Sequence, residues 1–456
     1  MFPQDVKSNV LTGHRMSPIL GTGSTQDSPA SLHYKLSCNV CGANYHDNGL
    51  MLDCANVHDP SLLVTDYVDK RFSINEEAEG IYRYERWLPI RRRIPGSYGP
   101  VTYRSKRLSR LTGLPNLWIA FNGYWPEKGA HLETASFKEL EAHTVLSRVA
   151  EHNEGILVIA SAGNTAAAFA RACSVNHIAC LIIVPTWGLQ KMRFCEPLDS
   201  CVKIVSLTGS TDYYDVITMA ERVARLQAFY PEGGVRNVAR RDGLGTTLLN
   251  AAETIGQLPD FYFQAIGSGA GAIAAHEAGK RLIKDGRFGH TLPRLMLSQN
   301  LPFVPIYLSW KSLRHELIEV NSEDGKEQIK QIGAHVLSNR RPPYAVRGGV
   351  CDILRASRGD MLVADNLEAQ DASRLFEESE GIDIDPAGAV AFATLLKVAR
   401  CDQIERDAHV LLHITGGGWR RRSLDHRLVS AHPELQFDET QILAQETLDK
   451  VAGLFC

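Results

Sequence analysis

FYFQAIGSGAGAIAAHEA, residues 261–278, passes from a short apolar run through a glycine-rich turn into an alanine-rich amphipathic stretch. The first part reads as a buried strand, because a sheet covered on both faces uses continuous apolar runs that stop at Gly, Ser or Pro. The last part reads as a helix. Between them, Gly267, Ser268, Gly269, Ala270 and Gly271 form a loop whose backbone amides can approach a phosphate, with the helix N-terminus adding a favourable dipole. Gly267, Gly269 and Ala272 nearly satisfy the dinucleotide fingerprint G-x-G-x-x-G/A. That reading also needs an acidic residue closing the next strand. Here Asp285 stands before that strand, in DGRFGHTLPRLML, so the loop points to a phosphate other than that of NAD.

The same alternation extends outward. ILVIAS (156–161), ACLIIVP (179–185), VKIVSL (202–207) and VLLHITG (410–416) are further buried parallel strands by the same criterion. TAAAFARACSV, YYDVITMAERVARLQAF and TTLLNAAETIGQ supply the helical patterns between strands. The fold class is therefore α/β, with parallel sheet covered on both faces. The polar stretches 321–331 and 338–349 read as exposed connections at an edge of the site.

Composition narrows the class of protein. With 456 residues, 49 Lys+Arg and 52 Asp+Glu, the chain has no bulk charge to draw nucleic acid or an anionic membrane. Hydrophobic residues at 44% and charged residues at 22% exclude a mainly disordered chain. No apolar run reaches the roughly 18 residues of a membrane span. Most of the ten cysteines stand alone in apolar stretches (Cys173, Cys180, Cys401), which suggests reduced thiols and a cytoplasmic enzyme. Residues 1–33 are rich in Ser, Thr, Gly and Pro and lack signal-peptide features, so a flexible tail is expected there.

Three further motifs accompany the glycine loop. Lys138 lies in LETASFKELEA (132–142); a lone lysine starting a helix is ordinarily a solvated charge. LVIASAGNTAAAFA (157–170) places Asn164 at the C-terminal end of a strand, where open α/β sheets bind ligands. ITGGG (414–418) exposes Thr415 at another strand end. Lys, Asn, Gly loop and Thr in this order are the pieces that hold pyridoxal 5'-phosphate (PLP): an imine, a partner for O3′, a phosphate cradle and a partner for the pyridine nitrogen.

With these motifs the chain resembles the threonine synthase family of fold-type II PLP enzymes (tryptophan synthase β-like), nearest its cysteate synthase branch. The resemblance runs from about Tyr34 to Arg422 and is carried by FNGYWPEKGA (121–130), TASFKELEA (134–142), SAGNT (161–165), YPEGGVRNVARRDG (230–243), LPDFYFQAIGSGAG (258–271) and ITGGG. It implies two three-layer α/β domains with the cofactor between them. The expected divisions are a large PLP-binding domain over 67–145 and 236–456 and a small one over 146–235. It also implies Lys138 as the Schiff-base lysine, Asn164 at O3′, residues 267–271 at the phosphate and Thr415 at the ring nitrogen.

The implied reaction is β-replacement on O-phospho-L-serine by sulfite, through a Lys138 aldimine and an aminoacrylate, giving L-cysteate and phosphate. A homodimer is implied as well. The family's N-x-x-R-x-E-G-Q-K-T stretch becomes Asn237–Thr246 here without its Gln-Lys pair, which weighs against the alternative substrate O-phosphohomoserine. Another nucleophile, such as sulfide, remains an alternative. So does a PLP-binding protein without turnover, which retention of Lys138 and Asn164 argues against.

Phosphate and sulfite need cationic partners, and Arg236, Arg240 and Arg241 are the candidates. The triplets Arg91–Arg93 and Arg420–Arg422 read as solvated faces or ion pairs. In the N-terminal segment, over 34–66, Cys38-x-x-Cys41, Cys54 and His58 offer the four soft or borderline ligands of a zinc-ribbon-like site. Val57 occupies the place of a fourth cysteine, and Asp53 and His46 are alternative ligands. A metal-free ribbon is the plainer reading.

Overall fold

Two parallel sheets carry the strands expected from the apolar runs. The computed structural model describes residues 32–456, so all but the last two residues of the expected flexible tail lie outside the described part. The larger sheet has six strands in the order Asp360–Ala364, Arg294–Asn300, Phe261–Ala265, Val410–Ile414, Leu117–Phe121 and Val101–Arg104. Its neighbours are parallel except for the last pair, where Val101–Arg104 closes the edge antiparallel. The smaller sheet is parallel throughout, in the order Phe229–Pro231, Ile156–Ala160, Cys180–Pro185, Val202–Leu207 and Leu435–Phe437.

Burial on both faces explains why these strands are apolar without alternation. Every residue of Cys180–Pro185, Phe261–Ala265 and Val410–Ile414 is buried. Alanine-rich helices cover them because a small side chain lets the helix axis approach the sheet. Asn164–Val175 buries Ala166, Ala167, Ala168, Phe169, Ala170 and Ala172 in one core with Leu157, Ile159 and Ile182 of the smaller sheet. Pro386–Arg400 does the same against the larger sheet, with Phe392 and Leu395 fully buried.

Two sequence expectations need correction. The span 236–456 does not belong wholly to the larger domain: Leu435–Phe437 pairs in register with Val205–Leu207 of the smaller sheet. The helix Gln445–Ala452 then adds Leu448 and Val451 to that sheet's second core. A three-residue strand with one buried side chain carries too little pattern to be recognised in sequence. The second correction concerns 321–331, which folds as the helix Ser322–Gln331, capped by Asn321 Oδ1 accepting from the Asp324 amide.

The N-terminal segment forms a three-stranded antiparallel sheet, ordered Asn44–Tyr45, Tyr34–Cys38, Leu63–Tyr67. It docks on the helix Val238–Ile255, where the Thr65 and Tyr67 hydroxyls both donate to Asp242 Oδ2 at 2.6 Å.

Candidate active site

The loops that follow three parallel strands meet in one cleft. They are 161–165 after Ile156–Ala160, 266–271 after Phe261–Ala265, and Thr415 after Ile414. The cleft therefore lies off the carboxyl ends of the strands, where α/β sheets bind ligands. Lys138, Asn164, Gly267, Ser268, Gly269, Ala270, Gly271 and Thr415 all line it, so the structure brings together all the cofactor residues expected from sequence.

Lys138 is held by backbone contacts to a remote strand end. The Phe137 amide donates to the Thr415 carbonyl at 3.0 Å, and the Gly417 amide donates to the Ala135 carbonyl at 3.1 Å. Ala135 takes a left-handed conformation (φ 51°), which turns the chain into the helix Lys138–Arg148. Glu139 fixes the turn, its Oε1 accepting from the Thr134 amide and, at 2.7 Å, from the Thr134 hydroxyl. The Lys138 and Thr415 segments are thus stitched together before any side chain acts.

The lysine sits beside charge. Its Nζ lies 3.0 Å from Glu141 Oε2 and 4.6 Å from the centre of the Phe137 ring. Burial pushes the Lys138 pKa down, with Glu141 opposing and Arg240 assisting. Glu141 also accepts from Thr165 Oγ1 at 3.0 Å and pairs with Arg240 at 2.7 Å. Arg240 in turn forms a two-pronged pair with Glu232. Sequence reading missed Glu141 and Glu232; the available signal was Glu141 one helical turn after Lys138.

Beneath the cleft runs a buried hydrogen-bond chain. Asn122 Nδ2 donates to His413 Nε2 at 2.8 Å, His413 Nδ1 donates to the Tyr262 oxygen at 2.7 Å, and the Tyr262 hydroxyl donates to Gln264 Oε1 at 3.0 Å. Each donor finds an acceptor only if the imidazole is neutral, and burial pushes the His413 pKa down to about 3.

The three candidate arginines separate. Arg240 lines the cleft. Arg236 pairs with Asp53 at 2.8 Å and faces an adjoining cavity. Arg241 is a correction to the expected anion set: it does not line the cleft. It is fully buried on the other side of its helix, bound to Glu277 and to the carbonyls of Val235 and Leu63. Successive helical residues point about 100° apart, so neighbouring arginines cannot share a face.

The donor set fits PLP. Asn164 is buried and its Oδ1 has no partner, so its amide is uncommitted at the expected O3′ position. The N-cap of the helix Ala270–Asp285 is Gly269, which has no side chain to cap it; the Ala270 amide reaches Ser268 Oγ at 3.4 Å, and the Gly271 and Ala272 amides of the first turn are left for an anion in the cleft. At Gly269 (φ +79°) a Cβ would fall 2.4 Å from Val350 Cγ2, and at Gly271 it would fall 2.5 Å from Gln264 Nε2. Only glycine keeps the cradle in this shape. Thr415 Oγ1 lies 3.5 Å from Asp385 Oδ1, the long limit of a hydrogen bond, so the hydroxyl remains available to a ligand. Asp385, also missed in sequence, caps the helix Pro386–Arg400 through Gly388, and burial raises its pKa. The Asp-Pro pair at the helix start was its signal.

The pyridoxal-phosphate dependent enzyme family matches residues 100–416, which contain every one of these cleft residues. The chain belongs to this family. This PLP-dependent enzyme is 44% identical over 412 residues to a cysteate synthase of Methanosarcina acetivorans, covering 90% of this chain and 98% of that one. It is 46% identical over 398 residues to a cysteate synthase of Methanosphaerula palustris, covering 87% and 92%. Among solved structures, the PLP-dependent enzyme resembles maize serine racemase (TM-score 0.54, 16% identity, 72% and 92% covered). It also resembles diaminopropionate ammonia lyase from Escherichia coli (TM-score 0.55, 14% identity, 78% and 90% covered). These two likenesses establish the fold as that of the fold-type II PLP enzymes. Among the described residues, no helix of the enzyme is long and apolar enough to cross a membrane.

Outside the cleft, the Sγ atoms of Cys38, Cys41 and Cys54 and a ring nitrogen of His58 all lie within 4.8 Å of one another. Neither alternative ligand joins them: Asp53 is paired with Arg236, and His46 is not in the group.

Proposed function

We propose that this PLP-dependent enzyme performs β-replacement on O-phospho-L-serine, breaking the Cβ–O bond to phosphate and forming a Cβ–S bond to sulfite, to give L-cysteate and phosphate. The observation that carries this reading is the 44% identity to a cysteate synthase over 98% of that protein's length. When bound, PLP supplies an electron-withdrawing ring that stabilises negative charge at the Cα of an attached amino acid.

The remaining work falls to the chain. Lys138 is the attachment residue, and its Nζ moves the proton at Cα; burial lowers its pKa, which favours the neutral amine this needs. Glu141, 3.0 Å away, is placed to steady that nitrogen when it carries the proton. The amides of 267–271 would hold the cofactor phosphate, Asn164 would hold O3′, and the Thr415 hydroxyl would serve the ring nitrogen. Arg240 is the candidate for the substrate anion. Three of its N–H groups are committed to Glu232 and Glu141, and the rest are those a phosphate or sulfite would meet. Arg236, at the adjoining cavity, is the second candidate. The enzyme works as a cytoplasmic homodimer in this reading, which sedimentation of the purified protein checks.

The deciding experiment incubates the yellow holoenzyme with phosphoserine or phosphohomoserine, each with and without sulfite, and identifies the amino acid formed. Cysteate from phosphoserine plus sulfite is the expected result. Threonine from phosphohomoserine, with no cysteate from phosphoserine, overturns the proposal.

A further inference from the structure

We infer that Cys38, Cys41, Cys54 and His58 form a closed Cys3His centre for one Zn2+, and that this metal fastens the N-terminal sheet to the wall of the catalytic cleft. The ligand atoms come from the end of the strand Tyr34–Cys38 with its following turn and from the separate loop of Cys54 and His58, yet they converge to within 4.8 Å. Their spacing suits tetrahedral coordination. Zinc–sulfur bonds of about 2.3 Å and zinc–nitrogen bonds of about 2.0–2.1 Å put tetrahedral ligands roughly 3.8 Å (S to S) and 3.5 Å (S to N) apart. The Cys41 and Cys54 sulfurs are 3.6 Å apart, and Cys38 Sγ is 3.3 Å from His58 Nε2.

The surroundings are already arranged for a metal. His58 Nδ1 lies 2.7 Å from the Asp59 carbonyl, which fixes the proton on Nδ1 and leaves the Nε2 lone pair facing the sulfurs. Donors surround the thiols: the Val40 amide reaches Cys38 Sγ at 3.4 Å, Asn56 Nδ2 reaches Cys41 Sγ at 3.3 Å, and the Tyr45 hydroxyl lies 3.0 Å from Cys54 Sγ. Such hydrogen bonds stabilise thiolates that have shed their protons to solvent on binding the cation. Three soft sulfurs and an imidazole in tetrahedral array select zinc over hard, oxygen-seeking cations.

The segment also has no apolar core of its own. From 39 to 60 only Asp47 and Gly49 are buried, so no apolar side chain contributes a core. Stretches of this kind depend on a staple. What the staple holds is specific. Asp47 takes a two-pronged pair from Arg148, at the far end of the helix that begins with Lys138, and Arg148 also donates to the Met51 carbonyl. Asp53 pairs with Arg236, just before the helix that carries Arg240.

The test is metal analysis of the full-length holoenzyme together with two variants. About one zinc per chain is expected in the wild type. Anaerobic exchange for Co2+ should give the visible ligand-field bands of a tetrahedral site with thiolate charge transfer. Cys54→Ser and His58→Ala should lose the zinc while a Cys401→Ser control keeps it. PLP absorbance serves as the check on folding. Zinc below about a tenth per chain after anaerobic reconstitution, or octahedral cobalt bands in the wild type, overturns the inference. Full zinc retained in both ligand variants overturns it equally. The cobalt spectrum is read on the wild type, so it decides the matter even if a variant fails to fold.

Discussion

The catalytic cleft and the cysteine-bearing knot both touch the helix Lys138–Arg148, at opposite ends, but are held by different means. The cleft is fastened by backbone hydrogen bonds between remote segments, as where Phe137 meets Thr415, and it rests on fully buried strands. The knot has almost no apolar burial and relies on side-chain contacts: a sulfur–imidazole cluster, Asp47 with Arg148, and Asp53 with Arg236. A cleft supported by burial should tolerate the loss of one reactive group without unfolding. A knot supported by a few polar contacts should lose stability when any one is removed.

The sharpest separation comes from Lys138→Ala. Activity should fall by about 10^4-fold with the thermal midpoint nearly unchanged, because the residue supplies proton transfer rather than packing. Initial rates and calorimetry measure the two halves, and borohydride trapping should label Lys138 in the wild type. Asp47→Ala should behave in the opposite way. It leaves Arg148 buried and unpaired, with neither side chain of the pair exposed, and should cost about 3–5 kcal/mol in urea unfolding. An effect below about 1 kcal/mol, the size expected of an exposed pair, would put the knot on the same footing as the cleft.

Gly269→Ala tests the cleft from its backbone. The left-handed φ and the close Val350 contact predict a loss of about 1–3 kcal/mol, seen as weaker PLP binding in a fluorescence titration. The most gradual effect is a pH slope. His413 has a folded pKa near 3, so the unfolded chain takes up a proton below its own value of roughly 6.5 and the folded chain does not. The stabilisation is therefore complete above pH 6.5, a rough bound, and is lost as pH falls toward 3, by at most about 1.4 kcal/mol per pH unit. His413→Gln should flatten the slope of unfolding free energy between about pH 6 and 4 by that amount.

The sequence disclosed some parts of this more readily than others. Lys138, Asn164, the 267–271 loop and Thr415 were legible because each sits at a strand end or helix start, where local residue type constrains what can follow. The strands were legible because burial on both faces makes them continuously apolar. The ion pairs were not. Glu141 with Arg240, and Arg148 with Asp47, depend on which faces of distant elements meet, and no local pattern records that. Arg241 is different, since helical geometry alone separates it from Arg240. Asp385 stood in plain view as a helix cap, but its nearness to Thr415 exists only once the strand Val410–Ile414 is in place.

The strand Leu435–Phe437 bears on how the protein is made. The edge it covers, at Val202–Leu207, leaves the ribosome some 230 residues earlier. During that interval a row of backbone donors and acceptors on an apolar parallel sheet stays open to other chains. Nascent chains, and any product truncated before residue 435, therefore share an aggregation hazard that the finished enzyme does not have.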